Sequence, residues 1–79
     1  MKVVYFAWLR ERIGMAEGTV QSDPNVRTIH DLMEWLSSRS ENHAFAFAET
    51  SAVRAAVDKK VVSNEAVVEG VSEIAFFHL

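Results

Sequence analysis

The chain has no cysteine, one proline and three glycines in 79 residues. Without cysteine there is no disulfide staple and no thiolate metal site, so hydrophobic burial has to stabilise the fold. The absence also fits a reducing compartment. No stretch approaches the roughly 20 apolar residues needed to cross a membrane. Lys2 is followed by only a short apolar run, broken by Arg10 and Glu11, so no signal peptide is expected. These features together predict a cytoplasmic protein with no membrane role. Positive charge is scarce as well: eight bases stand against eleven acids, a formal net charge of −3. Nucleic-acid binders of this size generally carry a basic stripe, whereas the only paired bases here are Lys59 and Lys60. No nucleic-acid partner is expected. Internal repeats and low-complexity segments are also missing.

Chemistry-bearing motifs are equally sparse. His30, His43 and His78 have no spacing that brings two of them together on one helix or strand, and no His-x-x-x-His pair occurs. Gly14 and Gly18 have the spacing of a small-residue helix motif, but outside an apolar twenty-mer that spacing carries no meaning, and two loop glycines is the better reading. There is no Gly-rich dinucleotide turn, no phosphate-binding loop and no nucleophile elbow. Acidic residues are abundant, yet nothing pairs two of them in a covered cleft. The sequence predicts no metal, no cofactor and no self-contained active site.

What the chain does have is apolar material: 49% of residues are hydrophobic. That suffices for one small domain, residues 1–79, of a size that buries roughly 60–65% of its unfolded surface. The last seven residues, Glu73-Ile74-Ala75-Phe76-Phe77-His78-Leu79, organise the rest. Ile74 to Phe77 is an apolar run too short for a terminal helix and suited to a buried strand. Chain ends fray unless tied down, and two adjacent phenylalanines argue for docking in a sheet. The natural neighbour is Val3-Val4-Tyr5-Phe6-Ala7 at the other end, giving two terminal strands side by side at the sheet centre.

Lys2 to Ala7 is rich in β-branched and aromatic residues and reads as the first strand. Trp8 to Gly14 turns polar and stops at a glycine, which predicts a loop or a single helical turn. Gly18 opens a second strand, Thr19 to Ser22, hairpinned to the first and ended by Asp23-Pro24-Asn25. Thr28 with Asp31 resembles a capping box. Ile29, Leu32, Met33 and Leu36 then fall on one helical face, and Asp31 and Arg39 suit the two ends of the helix dipole. This predicts an amphipathic helix of about three turns laid on a sheet. Ser40 to Ser51 reads as a short helix, although its Ala-Phe-Ala-Phe alternation leaves a strand open. Ala52 to Val57 is a third strand, and Asp58-Lys59 a tight turn of open type into a fourth, Lys60 to Val62. A connection over Ser63 to Gly70 leads to the last strand, from Ser72 or Glu73 to Phe77.

The order β-β-α-(α)-β-β-β, with apolar first and last strands that lack clean alternation, predicts terminal strands covered over much of their length. It is an α+β, β-grasp (ubiquitin-like) arrangement: a mixed sheet of four to five strands with one long helix across it. The rival ferredoxin-like sandwich needs two comparable helices. Phe76 and Phe77 must point to opposite faces of their strand. An outward phenylalanine in so small a domain is either covered by a loop or helix or offered to a partner. Trp8 raises the same question, and Trp35 reads as core edge.

Several stretches resemble the small, MoaD-type subunit of molybdopterin synthase, within the ThiS/MoaD superfamily. They are Val3-Val4-Tyr5-Phe6-Ala7-Trp8-Leu9-Arg10-Glu11, the Thr28-to-Leu36 helix, Ala55-Ala56-Val57 before a turn, and Gly70 ahead of Glu73-Ile74-Ala75-Phe76-Phe77. The resemblance covers nearly the whole chain. It implies a non-catalytic sulfur-carrier subunit whose C-terminal Gly-Gly is adenylated by an E1-like (MoeB-type) enzyme and converted to a thiocarboxylate. Inserted into the large, MoaE-type subunit, that thiocarboxylate passes sulfur to cyclic pyranopterin monophosphate in molybdenum cofactor biosynthesis. By position, Phe76 and Phe77, with Phe6, Leu9 and Arg10 as neighbours, match the family's partner-binding surface. Two departures stand out. Val71-Ser72 replaces a single aspartate between Gly70 and Glu73, which is expected to alter a turn or bulge. The family's tail to Gly-Gly does not follow Leu79, so the sequence as written is expected not to carry sulfur, and no catalytic residue is assigned. The alternative reading is a tail-less ubiquitin-like protein-interaction domain. A thiamine-pathway sulfur carrier is a third reading that fits less well.

Overall fold

The computed structural model describes residues 1–21 and 23–79. Five strands, β1 (Lys2–Tyr5), β2 (Glu17–Thr19), β3 (Val53–Val57), β4 (Lys60–Val62) and β5 (Glu73–His78), form one sheet in the order β2-β1-β5-β3-β4. The two terminal strands β1 and β5 run parallel at its centre, with Val3 beside Ile74 and Tyr5 beside Phe76. The flanking pairs are antiparallel, so the sheet is mixed. The chain ends thus tie each other down, and the Met1 ammonium adds a bond of 3.1 Å to the Val20 carbonyl.

Among the described residues three α-helices lie against the sheet, α1 (Ala7–Ile13), α2 (Ile29–Ser37) and α3 (Glu41–Ala46). α2 carries the predicted stripe: Ile29, Leu32, Met33 and Leu36 are all buried. Its start is fixed by a complete capping box. The Thr28 hydroxyl accepts from the Asp31 amide at 3.1 Å, and the Asp31 carboxylate accepts from the Thr28 amide at 3.2 Å. The second bond satisfies an orphan backbone donor and holds the Asp31 carboxyl below its usual range, with an Arg27 amide bond contributing most. α3 begins on Ser40, whose hydroxyl accepts from the His43 amide, and ends against the buried ring of Phe47. The helical reading of that stretch therefore holds over Glu41–Ala46, and a single 3₁₀ turn follows at Thr50–Ala52.

Residues 7–13 go beyond the predicted loop or single helical turn. They make a helix of two turns because Leu9 and Ile13, four apart, both enter the core. The chain leaves β1 at Tyr5 and turns straight into α1 through Ala7, at φ +49°. α1 stops at Gly14, at φ +86°, whose amide donates to the Arg10 carbonyl, a left-handed C-terminal cap that glycine adopts without strain. β2 lies at Glu17–Thr19, earlier than predicted, and the expected end at Ser22 falls outside the described residues. The open hairpin question resolves at Asp58 and Lys59, which both have positive φ, +47° and +75°, as a type I′ turn requires. Val71-Ser72 extends the approach to β5 beyond a turn in which the Val71 amide bonds the Val68 carbonyl. The Ser72 carbonyl then opens the central ladder by accepting from the Lys2 amide.

The core lies between the helices and one face of the sheet: Val3, Tyr5, Val53, Ala55, Ile74 and Phe76 from the strands meet Leu9, the α2 stripe and Phe47. Tyr5 packs edge-on to His43 and Phe47 and stacks on Phe76, and burial pushes its hydroxyl up to about 12. Although the sequences of β1 and β5 do not alternate, their burial does, residue by residue. Their inner faces are buried and their outer faces, Lys2 apart, half-buried, so the strands are covered over much of their length but more completely on one side. The cause is that all three helices pack on the same side.

Candidate functional site

No helix among the described residues packs on the other side of the sheet. Strand register assembles it. Across the middle run Glu17, Val4, Ala75, Ala56 and Val61, one from each strand and each paired with the next. Ala75 and Ala56 are short, so they form the floor of a shallow depression bordered by Val4, Phe6, Lys59 and Glu73. Phe6 is 52% exposed and Val61 67%. Phe6 donates its amide to the Phe76 carbonyl at 3.1 Å, which continues the central ladder and sets Phe6 at the level of Phe77. Phe77 is half-buried and pairs with Arg54 across the β3–β5 ladder.

Charged groups border this apolar surface. At one end Lys2 lies 3.1 Å from Glu17 and 4.0 Å from Glu73, bridging three strands. The Glu17 hydrogen bond, then the Glu17 and Glu73 charges, raise the Lys2 ammonium above its ordinary value, so it stays charged. At the other end the Arg54 guanidinium donates to the Ser51 and Val53 carbonyls at 2.9 and 3.1 Å. An apolar centre with a charged rim is the anatomy of a protein–protein interface.

The sequence assigned five residues to partner binding. Phe6 and Phe77 come together on the open face. Phe76 and Leu9 do not: each is 0% exposed and packs in the core, because the inward parity of β5 falls on Ile74 and Phe76 and the inward face of α1 on Leu9 and Ile13. Their assignment to the docking surface is corrected accordingly. Arg10 is exposed in the last turn of α1, on the helical layer. Four residues of the face, Val4, Ala56, Val61 and Ala75, were not singled out. Their signal was available in parity: a charged Glu73 must face outward, and Ala75 and Phe77 follow it at two-residue steps.

The described residues bring no three histidines or carboxylates together in a metal-binding group. His30 lies 3.6 Å from Glu34 along α2, His43 is buried against Tyr5, and His78 lies against Trp8. Nor is any helix among them long and apolar enough to cross a membrane. What the described residues do assemble is the open sheet surface.

A mixed sheet with parallel terminal strands at its centre, one face covered by helices and the other presented, defines a ubiquitin-like β-grasp protein. The chain belongs to the ThiS family, whose model matches residues 3–79. Its class is that of the ubiquitin-like sulfur carriers. Among solved structures it is similar to a putative molybdopterin converting factor, subunit 1, from Pyrococcus furiosus. That pair shares 26% identity at a TM-score of 0.74, over 98% of this chain and 93% of the other. It is also similar to SAMP1 from Haloferax volcanii, at 18% identity and the same TM-score of 0.74, over 100% of this chain and 93% of that one, a likeness of fold alone. No curated protein matches the chain in sequence.

Proposed function

We propose that this protein is the sulfur-carrying small subunit of a molybdopterin synthase, and that it docks on its partners through the open sheet face. The observation that carries the reading is the uncovered apolar surface around Phe6, Phe77 and the Ala56–Ala75 floor, on the central strand that also leads toward the C-terminal end. The likeness to the Pyrococcus furiosus protein, named for subunit 1 of a molybdopterin converting factor, supports this branch of the family. In this account the domain performs no chemistry. It presents one surface to an E1-like, MoeB-type adenylating enzyme, which would activate for sulfur loading, as a thiocarboxylate, a Gly-Gly carboxylate of the kind the resemblance implies and the sequence to Leu79 does not contain. It then offers the same surface to a MoaE-type large subunit, where the sulfur passes to cyclic pyranopterin monophosphate. Because one face serves both encounters, the two partners compete for it.

The test is co-elution in size-exclusion chromatography with a MoaE-type large subunit, repeated with increasing adenylating enzyme. The account expects a stable complex that the second protein displaces. Failure to bind the large subunit, together with binding to a thiamine-pathway partner, would move the protein to the other branch of its family.

A further inference from the structure

A second surface cluster lies outside the open face. Trp8 and Arg12 are four residues apart on α1, so their side chains share one helical face. Phe45 of α3 and His78 of β5 meet them there. The Trp8 ring centroid lies 5.0 Å from that of His78 and 6.3 Å from that of Phe45. The Arg12 guanidinium carbon stands 5.4 Å from the Trp8 centroid and 4.6 Å from that of Phe45, both within cation–π range. Phe45 is 57% exposed, and Arg12 and His78 are exposed as well. Trp8 itself is half-buried and also packs against the core.

Arg12 is in an unusual state for an exposed arginine. Two aromatic faces position its guanidinium, yet it joins none of the three ion pairs among the described residues, and none of the side-chain hydrogen bonds found there is its own. Arg54, by contrast, donates to two carbonyls, and Lys2 is engaged by two glutamates. A guanidinium presents five donors in a fixed planar fork that matches a carboxylate, and a fork already held in place loses less freedom on binding. We propose that the Trp8–Arg12–Phe45–His78 cluster is a docking site for an acidic segment of a partner protein, with a carboxylate taken by the Arg12 fork and an adjoining apolar side chain laid on Phe45.

Charge and position both favour this occupant. A nucleic acid would need a row of bases to neutralise its phosphates, and this chain carries a net charge of −3 with a single guanidinium in the cluster. The cluster is also continuous with the open face at one point: Phe77, on that face, and His78, against Trp8, are successive residues of β5. A partner gripping the sheet can therefore reach the cluster around the end of β5. The site does not depend on which branch of the family the protein serves.

The experiment is a magnetic-resonance titration of the isotope-labelled protein with the blocked peptide acetyl-Glu-Phe-Glu-Glu-amide, beside its Gln-Phe-Gln-Gln counterpart and inorganic phosphate. The Trp8 indole and Arg12 side-chain signals are followed. The acidic peptide should shift both signals and bind about tenfold tighter than the amide peptide, which lacks the charge-assisted carboxylate pair, and than phosphate, which can engage the fork but lays no apolar side chain on Phe45. Arg12→Lys keeps the charge but not the fork and should weaken binding about fivefold or more, with the remaining spectrum showing an intact fold. Equal affinity for the two peptides, phosphate binding as tight as the acidic peptide, an unaffected Arg12→Lys variant, or shifts confined to other residues would each overturn the proposal.

Discussion

Phe76 and Phe77 are consecutive in β5 and lie on opposite sides of the sheet: Phe76 is 0% exposed with its ring edge-on to Phe47 at 5.3 Å, and Phe77 is half-buried on the open face beside Arg54. The same side chain at neighbouring positions should therefore do different work. Phe76→Ala should cost about 3–5 kcal/mol, as for buried phenylalanines generally. That is a large share of the roughly 4–12 kcal/mol a domain of this length has in total. Phe77→Ser, at a half-buried position, should cost less, about 1–2 kcal/mol. Urea denaturation of the two variants checks the pair; equal losses would mean the facing of β5 has been misassigned.

The long helix offers a graded pair of its own. Leu32, fully buried beneath α2, should lose about 2–5 kcal/mol on truncation to alanine. Thr28→Ala removes the hydroxyl that accepts from the Asp31 amide, together with the γ-methyl, and should cost about 1 kcal/mol. A Thr28→Ala variant as damaged as Leu32→Ala would show that the cap supports more than the end of one helix.

Asp58 and Lys59 occupy left-handed backbone where glycine rests more easily. Replacing Lys59 by glycine should raise stability by about 0.5–1 kcal/mol, the relief of left-handed strain less the entropy glycine adds to the unfolded chain. For a domain of this size that corresponds to a rise in Tm of several degrees, roughly 2–8 °C. A lower Tm would mean that the lysine side chain contributes at this turn.

His43 sets a pH dependence. Burial first, and the nearby Arg39 charge second, hold its imidazole below the ordinary value of 6.5. The unfolded chain then takes up the proton before the folded one does. Its contribution to stability is fully present above pH 6.5 and is lost as the pH falls through the lower, folded value. Asp31 acts in the same direction, but below its own ordinary value of 3.8. Urea midpoints between about pH 7.5 and pH 5 should fall in the parent and fall less in His43→Phe. Parallel curves would show that His43 titrates freely.

The sequence made the sheet legible because its two most apolar segments sit at the chain ends, and α2 because cap and stripe agree. It concealed α1, since Phe6 at its start makes no capping bond and only Leu9 and Ile13 mark its inner face. With so few periodic positions the segment looks polar, and helix formation there depends on tertiary burial. The open face proposed for docking was half legible. Adjacent phenylalanines announce that one points outward, but which one depends on parity with Glu73, and Leu9 was misplaced along with α1. Val4, Ala56, Ala75 and Val61 belong to four different strands, so only the register brings them together.

The central claim is that Phe6 and Phe77 are anchors of the partner-binding face. The direct test is titration calorimetry of a MoaE-type large subunit with the parent protein, Phe6→Ser and Phe77→Ser, each first confirmed to be folded. Truncating an interface hot spot costs about 2 kcal/mol or more, so each variant should bind roughly thirtyfold more weakly. Affinities for both variants equal to the parent's would place the interface elsewhere and contradict the account.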